Sequence, residues 1–123
     1  MVLDTCVIID VLRGKEAAID FVTGLEEAPA LSVVTVTELV AGCRNTKERR
    51  AVDRLLSHYI IHDIGFDIAA LAGEFIQRYG PCHGTDPIDA MIAATAIAHE
   101  LPLATLNLKH FPMFAGLTPP YRT

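Results

Sequence analysis

The sequence is short of the features that mark a secreted, membrane-embedded or metal-stapled chain. Its three cysteines, Cys6, Cys43 and Cys82, are odd in number and form no C-x-x-C pair. A disulfide framework and a zinc ribbon are therefore excluded, and reduced thiols in a cytoplasmic protein are expected. No basic start leads into an apolar run, and Asp4 and Asp10 interrupt the N-terminus, so no signal peptide is expected. The longest apolar stretch, Ala90 to Ala98 around Thr95, falls far short of a bilayer crossing, so no membrane partner is expected. Repeats and low-complexity segments are missing as well. Positive charge is scarce: ten Lys and Arg face fifteen Asp and Glu, a net charge of −5. Taken as a whole-chain number, that balance argues against a nucleic-acid binder.

What is present is apolar. Hydrophobic residues make up 51% of the 123 positions and the mean hydropathy is +0.35. A chain of this length forms one domain and needs no covalent staple to bury a core. Apolar excess of this size points to an unusually rich core or to surface reserved for a partner. Short apolar runs alternate with segments of helical period. Met1 to Asp4 reads as a strand entering a helix over Thr5 to Leu12, and Lys15 to Leu25 as a second helix. Ala30 to Val34 reads as a strand followed by a helix from Thr35 to about Cys43, and Asn45 or Thr46 caps the next helix. Tyr59 to Ile64 is expected to be a strand, Asp67 to Tyr79 a helix, and Gly80 to Gly84 a turn-rich loop. Pro87 to His99 reads as a helix, Leu103 to Thr105 as a strand, and the tail as irregular. This alternation predicts a single α/β domain over residues 1–123, with a parallel sheet and helices on both faces.

Asp4, Glu38, Asp86 and Asp89 stand out as acids expected where strands hand over to helices, the edge at which open α/β sheets place ligands. Capping is an alternative at each. Asp4 can cap the helix that starts at Thr5, Glu38 stands at capping-box spacing from Thr35, and Asp86 precedes Pro87. Asp89 then lies in a first turn, where the macrodipole favours an acid. If the strands are neighbours, however, Asp4, Glu38 and Asp89 converge on one edge, where their mutual repulsion calls for a cation. Hard oxygen donors without convergent His or Cys select Mg²⁺, with Mn²⁺ as substitute, and that equipment suits phosphodiester hydrolysis.

Four segments carry a more specific likeness. Leu3-Asp4-Thr5-x-Val7-x-Ile9-Asp10 is followed by Thr35-Val36-Thr37-Glu38-Leu39-x-x-Gly42, then by Asp89-Ala90-Met91-Ile92-Ala93-Ala94-Thr95-Ala96, then by Leu103-Ala104-Thr105-Leu106-Asn107-x-x-x-Phe111. In this order and at these separations the set resembles a PIN-domain protein, and closely the VapC-type toxins of bacterial toxin–antitoxin pairs. The resemblance covers essentially the whole chain. It implies a three-layer α/β/α sandwich with about four to five parallel strands. It also implies a Mg²⁺-dependent endoribonuclease, a homodimer, and a cognate antitoxin that blocks the site. Asp4, Glu38 and Asp89 match the family's metal-binding acids, while the fourth acidic position falls on Asn107. Asp86 and Asp10 are candidates to replace the lost charge, and one metal or two remain open. Thr5 and Thr105 resemble polar residues lining the same pocket.

Two other features have competing readings. Arg44, Lys47, Arg49, Arg50 and Arg54 are half the basic residues of the chain. Lys47, Arg50 and Arg54 share one flank of a helix, either a solvated face or a contact for RNA phosphate or antitoxin acids. His83, in the expected loop before Asp86, is a candidate acid–base group or a packed loop residue. The departure at Asn107 keeps a non-catalytic RNA- or protein-binding module as an alternative function. A structure-selective DNA nuclease is a third, disfavoured by so short a chain. Without Asp4, Asp10, Glu38, Asp86 and Asp89, ten acids remain against ten bases. The acidity is thus attributable to a cation site, and the excess hydrophobicity to a dimer seam and an antitoxin groove.

Overall fold

The computed structural model describes residues 1–122. Four short strands, β1 (Val2–Leu3), β2 (Ala30–Ser32), β3 (Ile60–His62) and β4 (Leu103–Ala104), form one parallel sheet in the order β3-β2-β1-β4. Val2 stands opposite Ala30 on one side and Leu103 on the other, and Ser32 stands opposite His62. Six helices connect the strands: α1 (Thr5–Leu12), α2 (Glu16–Thr23), α3 (Val33–Ala41), α4 (Thr46–Leu56), α5 (Phe66–His83) and α6 (Pro87–Ala98). A 3₁₀ turn spans Leu108–His110.

Strand alternation divides the core into two layers. Val2, Ala30 and Leu103 face α6 and Phe111, whereas Leu3, Leu31 and Ala104 face α1, α3 and α4. The result is the expected three-layer α/β/α sandwich with four parallel strands. Leu3 is fully buried in its layer, so Leu3→Ala is expected to cost about 2–5 kcal/mol. Ala90, Ala93, Ala94 and Ala96 are fully buried in α6. Their small side chains let this helix lie close on the sheet, with Ala90 and Ala94 turned to Ala72 of α5. Phe111 is core, with Met113 and Phe114 packed beside it. No helix among the described residues is long and apolar enough to cross a membrane.

The structure departs from the expected elements at three places that bear on the site. First, α3 begins at Val33 because the Ser32 hydroxyl accepts from Val34 N at 3.3 Å, capping the helix before Thr35. Thr35 is therefore helical and buried, and it forms no capping box with Glu38. Second, the expected loop Gly80 to Gly84 is the end of α5. Pro81 lies in the closing turns and forfeits a single backbone donor there. Gly84, left-handed at φ 67°, donates its N–H to Gly80 O and ends the helix. Third, Asp86 and Asp89 consequently stand at a helix-to-helix junction and not after a strand.

Candidate acidic site at the strand ends

The carboxyl end of β1 and the end of β4 deliver Asp4 and Thr105 side by side. Asp4 is buried and N-caps α1, its Oδ1 accepting from Thr5 N at 2.8 Å. Its Oδ2 accepts from the Thr105 hydroxyl at 2.7 Å and from the Cys6 thiol at 3.4 Å. Capping and site roles thus coexist in one side chain, because each oxygen serves a different partner. Thr105 Oγ1 in turn accepts from Asn107 N at 3.0 Å, which sets the turn that carries the exposed Asn107.

Glu38 reaches the same edge from the middle of α3. One turn of helix separates it from Thr35, so the two side chains share a face. Its Oε1 accepts from the Thr5 hydroxyl at 2.5 Å, and Thr5 Oγ1 also contacts Thr35 Oγ1 at 3.0 Å. Glu38 itself is exposed. It opens onto a cleft of about 450 Å³ between α1, α3 and α4, lined by Ile9, Leu12, Leu39 and Val52 and also by Arg13 and Arg44.

Asp89 comes from the first turn of α6. The Asp86 side chain accepts from Asp89 N at 2.8 Å, and Asp89 Oδ2 accepts from Asp86 N at 3.5 Å, a reciprocal capping box. The Asp89 carboxyl is pushed up to about 6, first by burial and then by the Asp86 charge. The Asp4 charge adds to the rise, while Asp86 N–H and His110 act against it. His110 Nδ1 lies 3.3 Å from Asp89 Oδ2, and the Thr85 hydroxyl fixes the His110 carbonyl at 2.8 Å.

The electrostatic pattern is that of one carboxyl, Asp89, whose ionisation is disfavoured by burial and by the neighbouring Asp86 and Asp4 charges. Beside them the Cys6 thiol is pushed up to about 12 by burial and by Asp4, so it is no nucleophile. The donors are hard oxygens and suit Mg²⁺ or Mn²⁺, and a divalent cation would relieve the repulsion that raises Asp89. Among the described residues, however, no three His, Cys, Asp or Glu side chains cluster closely enough to hold a metal ion. Glu38 is drawn to Thr5, and Asp86 and Asp89 are engaged with each other.

Of the sequence-expected residues, the fold gathers Asp4, Thr5, Glu38, Thr105 and Asn107 through one hydrogen-bonded set, and Asp86 with Asp89 through another. It does not bring Asp10 into the pocket. Asp10 accepts from the Tyr121 hydroxyl at 2.7 Å and lies 3.8 Å from Lys15 Nζ, so it fastens the C-terminal segment to α1. His83 is exposed at the end of α5, edge-on to Tyr79 at 5.8 Å, and among the described residues it forms no hydrogen bond or ion pair with the site acids. Arg44, just upstream of α4, pairs with Glu48 at 2.9 Å, and on the helix Arg49 pairs with Asp53 at 3.0 Å. Lys47, Arg50 and Arg54 form no ion pair among the described residues. Thr35 reads in the sequence as a candidate cap for Glu38, and the contacts that it and His110 make in the site are set by the fold. Local spacing carries no signal for either, because their partners lie 30 and 21 positions away in the chain.

Residues 1–115 match the family model described as PIN domain. The chain is 44% identical to Ribonuclease VapC10 of Mycobacterium tuberculosis, over 98% of this chain and 92% of that protein. It is 39% identical to Ribonuclease VapC19 of the same organism, over 97% and 98%. Among solved structures it is similar to a toxin–antitoxin complex from Klebsiella pneumoniae, with a TM-score of 0.85 and 30% identity over 99% of this chain and 98% of that one.

Proposed function

Because this chain belongs to the PIN-domain family, we propose that it is the toxin of a toxin–antitoxin pair, a Mg²⁺-dependent endoribonuclease acting in the cytoplasm. The observation that carries this reading is the acidic edge, where β1 delivers the buried Asp4 and α6 delivers Asp89, whose carboxyl is pushed up to about 6 first by burial and then by the Asp86 charge. The whole-length likeness to proteins named ribonucleases supports it.

In this reading Asp4, Glu38 and Asp89 would hold the ion, assisted by Asn107 and Asp86. When bound, Mg²⁺ supplies charge neutralisation at the scissile phosphate and lowers the pKa of water. The rest is done by the chain. Thr105 and Thr5 N–H hold the Asp4 carboxylate in one orientation, and Thr5 does the same for Glu38. His110 partners the Asp89 carboxylate. Lys47, Arg50 and Arg54 are free to meet phosphates of the RNA, since Arg44, just upstream of α4, and Arg49 are consumed by Glu48 and Asp53. The apolar cleft beside Glu38 is offered to a segment of the antitoxin. A second copy of the chain is the expected partner of exposed apolar residues such as Ile60 and Phe66.

Purified protein incubated with structured RNA tests the proposal. Cleavage with Mg²⁺ that stops on chelation is expected, and RNA left intact across a Mg²⁺ titration would contradict it. A non-catalytic RNA-binding module is the second reading, favoured by Asn107 at the fourth position and by the absence of a clustered acidic trio among the described residues. It predicts RNA binding with no Mn²⁺ uptake in a calorimetric titration.

A further inference from the structure

Thr35 is buried in α3, and among the described residues the sole hydrogen-bond partner of its hydroxyl is Thr5 Oγ1 at 3.0 Å. The direction of that bond follows from proton counting. Each threonine has one hydroxyl hydrogen. The Thr5 hydrogen is committed to Glu38 Oε1 at 2.5 Å, a length typical of a hydroxyl donating to a carboxylate. Thr5 Oγ1 can then only accept from Thr35, giving a directed chain Thr35→Thr5→Glu38. A hydroxyl that accepts one hydrogen bond donates a stronger one, because the two polarise each other. The same contact holds the Thr5 side chain in the rotamer that faces Glu38, and Glu38 is otherwise exposed on the surface of α3 with long-chain freedom.

We propose that Thr35 is a positioning residue for the nuclease reaction, fixing the Glu38 carboxylate through the Thr5 hydroxyl without touching substrate itself. This rests on the nuclease reading above and adds to it a residue that acts only through two others. Removing the Thr35 hydroxyl leaves every acid in place but frees Thr5 and with it Glu38.

The test compares Thr35→Val, nearly isosteric and without a donor, with Thr35→Ser, which keeps the hydroxyl. Two readouts are taken on each chain. In metal-free protein, NMR follows the Thr5 hydroxyl proton, whose short bond to a carboxylate places it downfield. It is expected to move upfield in Thr35→Val and to stay in Thr35→Ser. In RNA cleavage, Thr35→Val is expected to lower kcat about ten- to hundredfold, the range for loss of a supporting hydrogen bond, with KM unchanged. Thr35→Ser is expected to restore it. Thr35→Ala is read in the same way if the valine variant does not fold. An unmoved hydroxyl resonance overturns the proposal, as does an unchanged kcat in a chain that cleaves RNA, or a serine variant as impaired as the valine one. If the wild-type chain cleaves no RNA, the nuclease reading fails, while the NMR arm still decides whether the hydroxyl chain exists.

Discussion

The Asp4–Glu38 half of the acidic edge and the Asp86–Asp89 half hold the same kind of residue by opposite means. In the first, every carboxylate oxygen that is bonded faces a hydrogen donor: Thr5 N–H and the Thr105 hydroxyl for Asp4, the Thr5 hydroxyl for Glu38. In the second, each carboxylate accepts a backbone N–H from the other residue in a capping box, which also brings the two carboxylates together beside His110. Donors stabilise a buried negative charge, whereas a neighbouring negative charge destabilises it. The first half is thus organised by the protein alone, and the second is left with electrostatic strain that a cation would relieve. Function and stability are therefore expected to separate between the two.

The largest contrast concerns Asp4. Asp4→Asn exchanges one acceptor for a donor, which must face either Thr5 N–H or the Thr105 hydroxyl. It is expected to abolish cleavage and also to lower unfolding stability by about 1–3 kcal/mol, the cost of a buried unsatisfied polar group. Denaturant unfolding of the variant at constant slope checks this, and a chain as stable as wild type would erase the distinction between the halves.

pH sharpens the comparison next. In metal-free buffer the folded state keeps a proton on Asp89 up to about 6, whereas an ordinary aspartate loses it near 3.8. A raised carboxyl contributes stability that is complete below the unfolded value and is lost as pH rises through the folded one. The unfolding midpoint is therefore expected to fall between pH 4 and pH 6 in wild type and to flatten in Asp89→Asn. Thermal scans across that window, with and without Mg²⁺, read the difference.

Outside the edge, α4 repeats the same division between paired and unpaired charges. Reversing Arg50 and Arg54 to Glu is expected to weaken RNA binding and to reduce its salt dependence by about 0.7 in log–log slope per lost phosphate contact. Arg49→Ala, which removes a cation already paired with Asp53, is expected to leave that slope unchanged. Smallest is Tyr121→Phe. It removes the hydrogen bond to Asp10 at about 0.5–1.5 kcal/mol of stability, with cleavage unaffected because Asp10 lies outside the pocket.

Residues whose neighbours are set by local pattern were legible in the sequence. Asp4 after an apolar run and Asp86 before Pro87 follow from spacing, and the alternating apolar runs indicate a parallel sheet with helices on both faces. The misplacements arose where two local signals competed. Ser32 and Thr35 both suit a helix start, and the earlier one captured Val34 N. Gly80 and Pro81 read as a loop, yet a proline near the end of a helix removes one bond while Gly84 still supplies the left-handed stop. Asp10, Thr35 and His110 depend on partners far away in sequence, Tyr121, Thr5 and Asp89. Tertiary contacts of that kind leave no periodic trace, so Asp10 reads as a pocket candidate, and the contacts of the other two are not visible in the spacing.

The central claim is that Asp89 serves chemistry and not folding. RNA cleavage by Asp89→Asn in saturating Mg²⁺, alongside its unfolding midpoint, tests this most directly. The account expects cleavage to vanish while the folded chain is as stable as wild type or more so. Cleavage at the wild-type rate by the folded variant would contradict it.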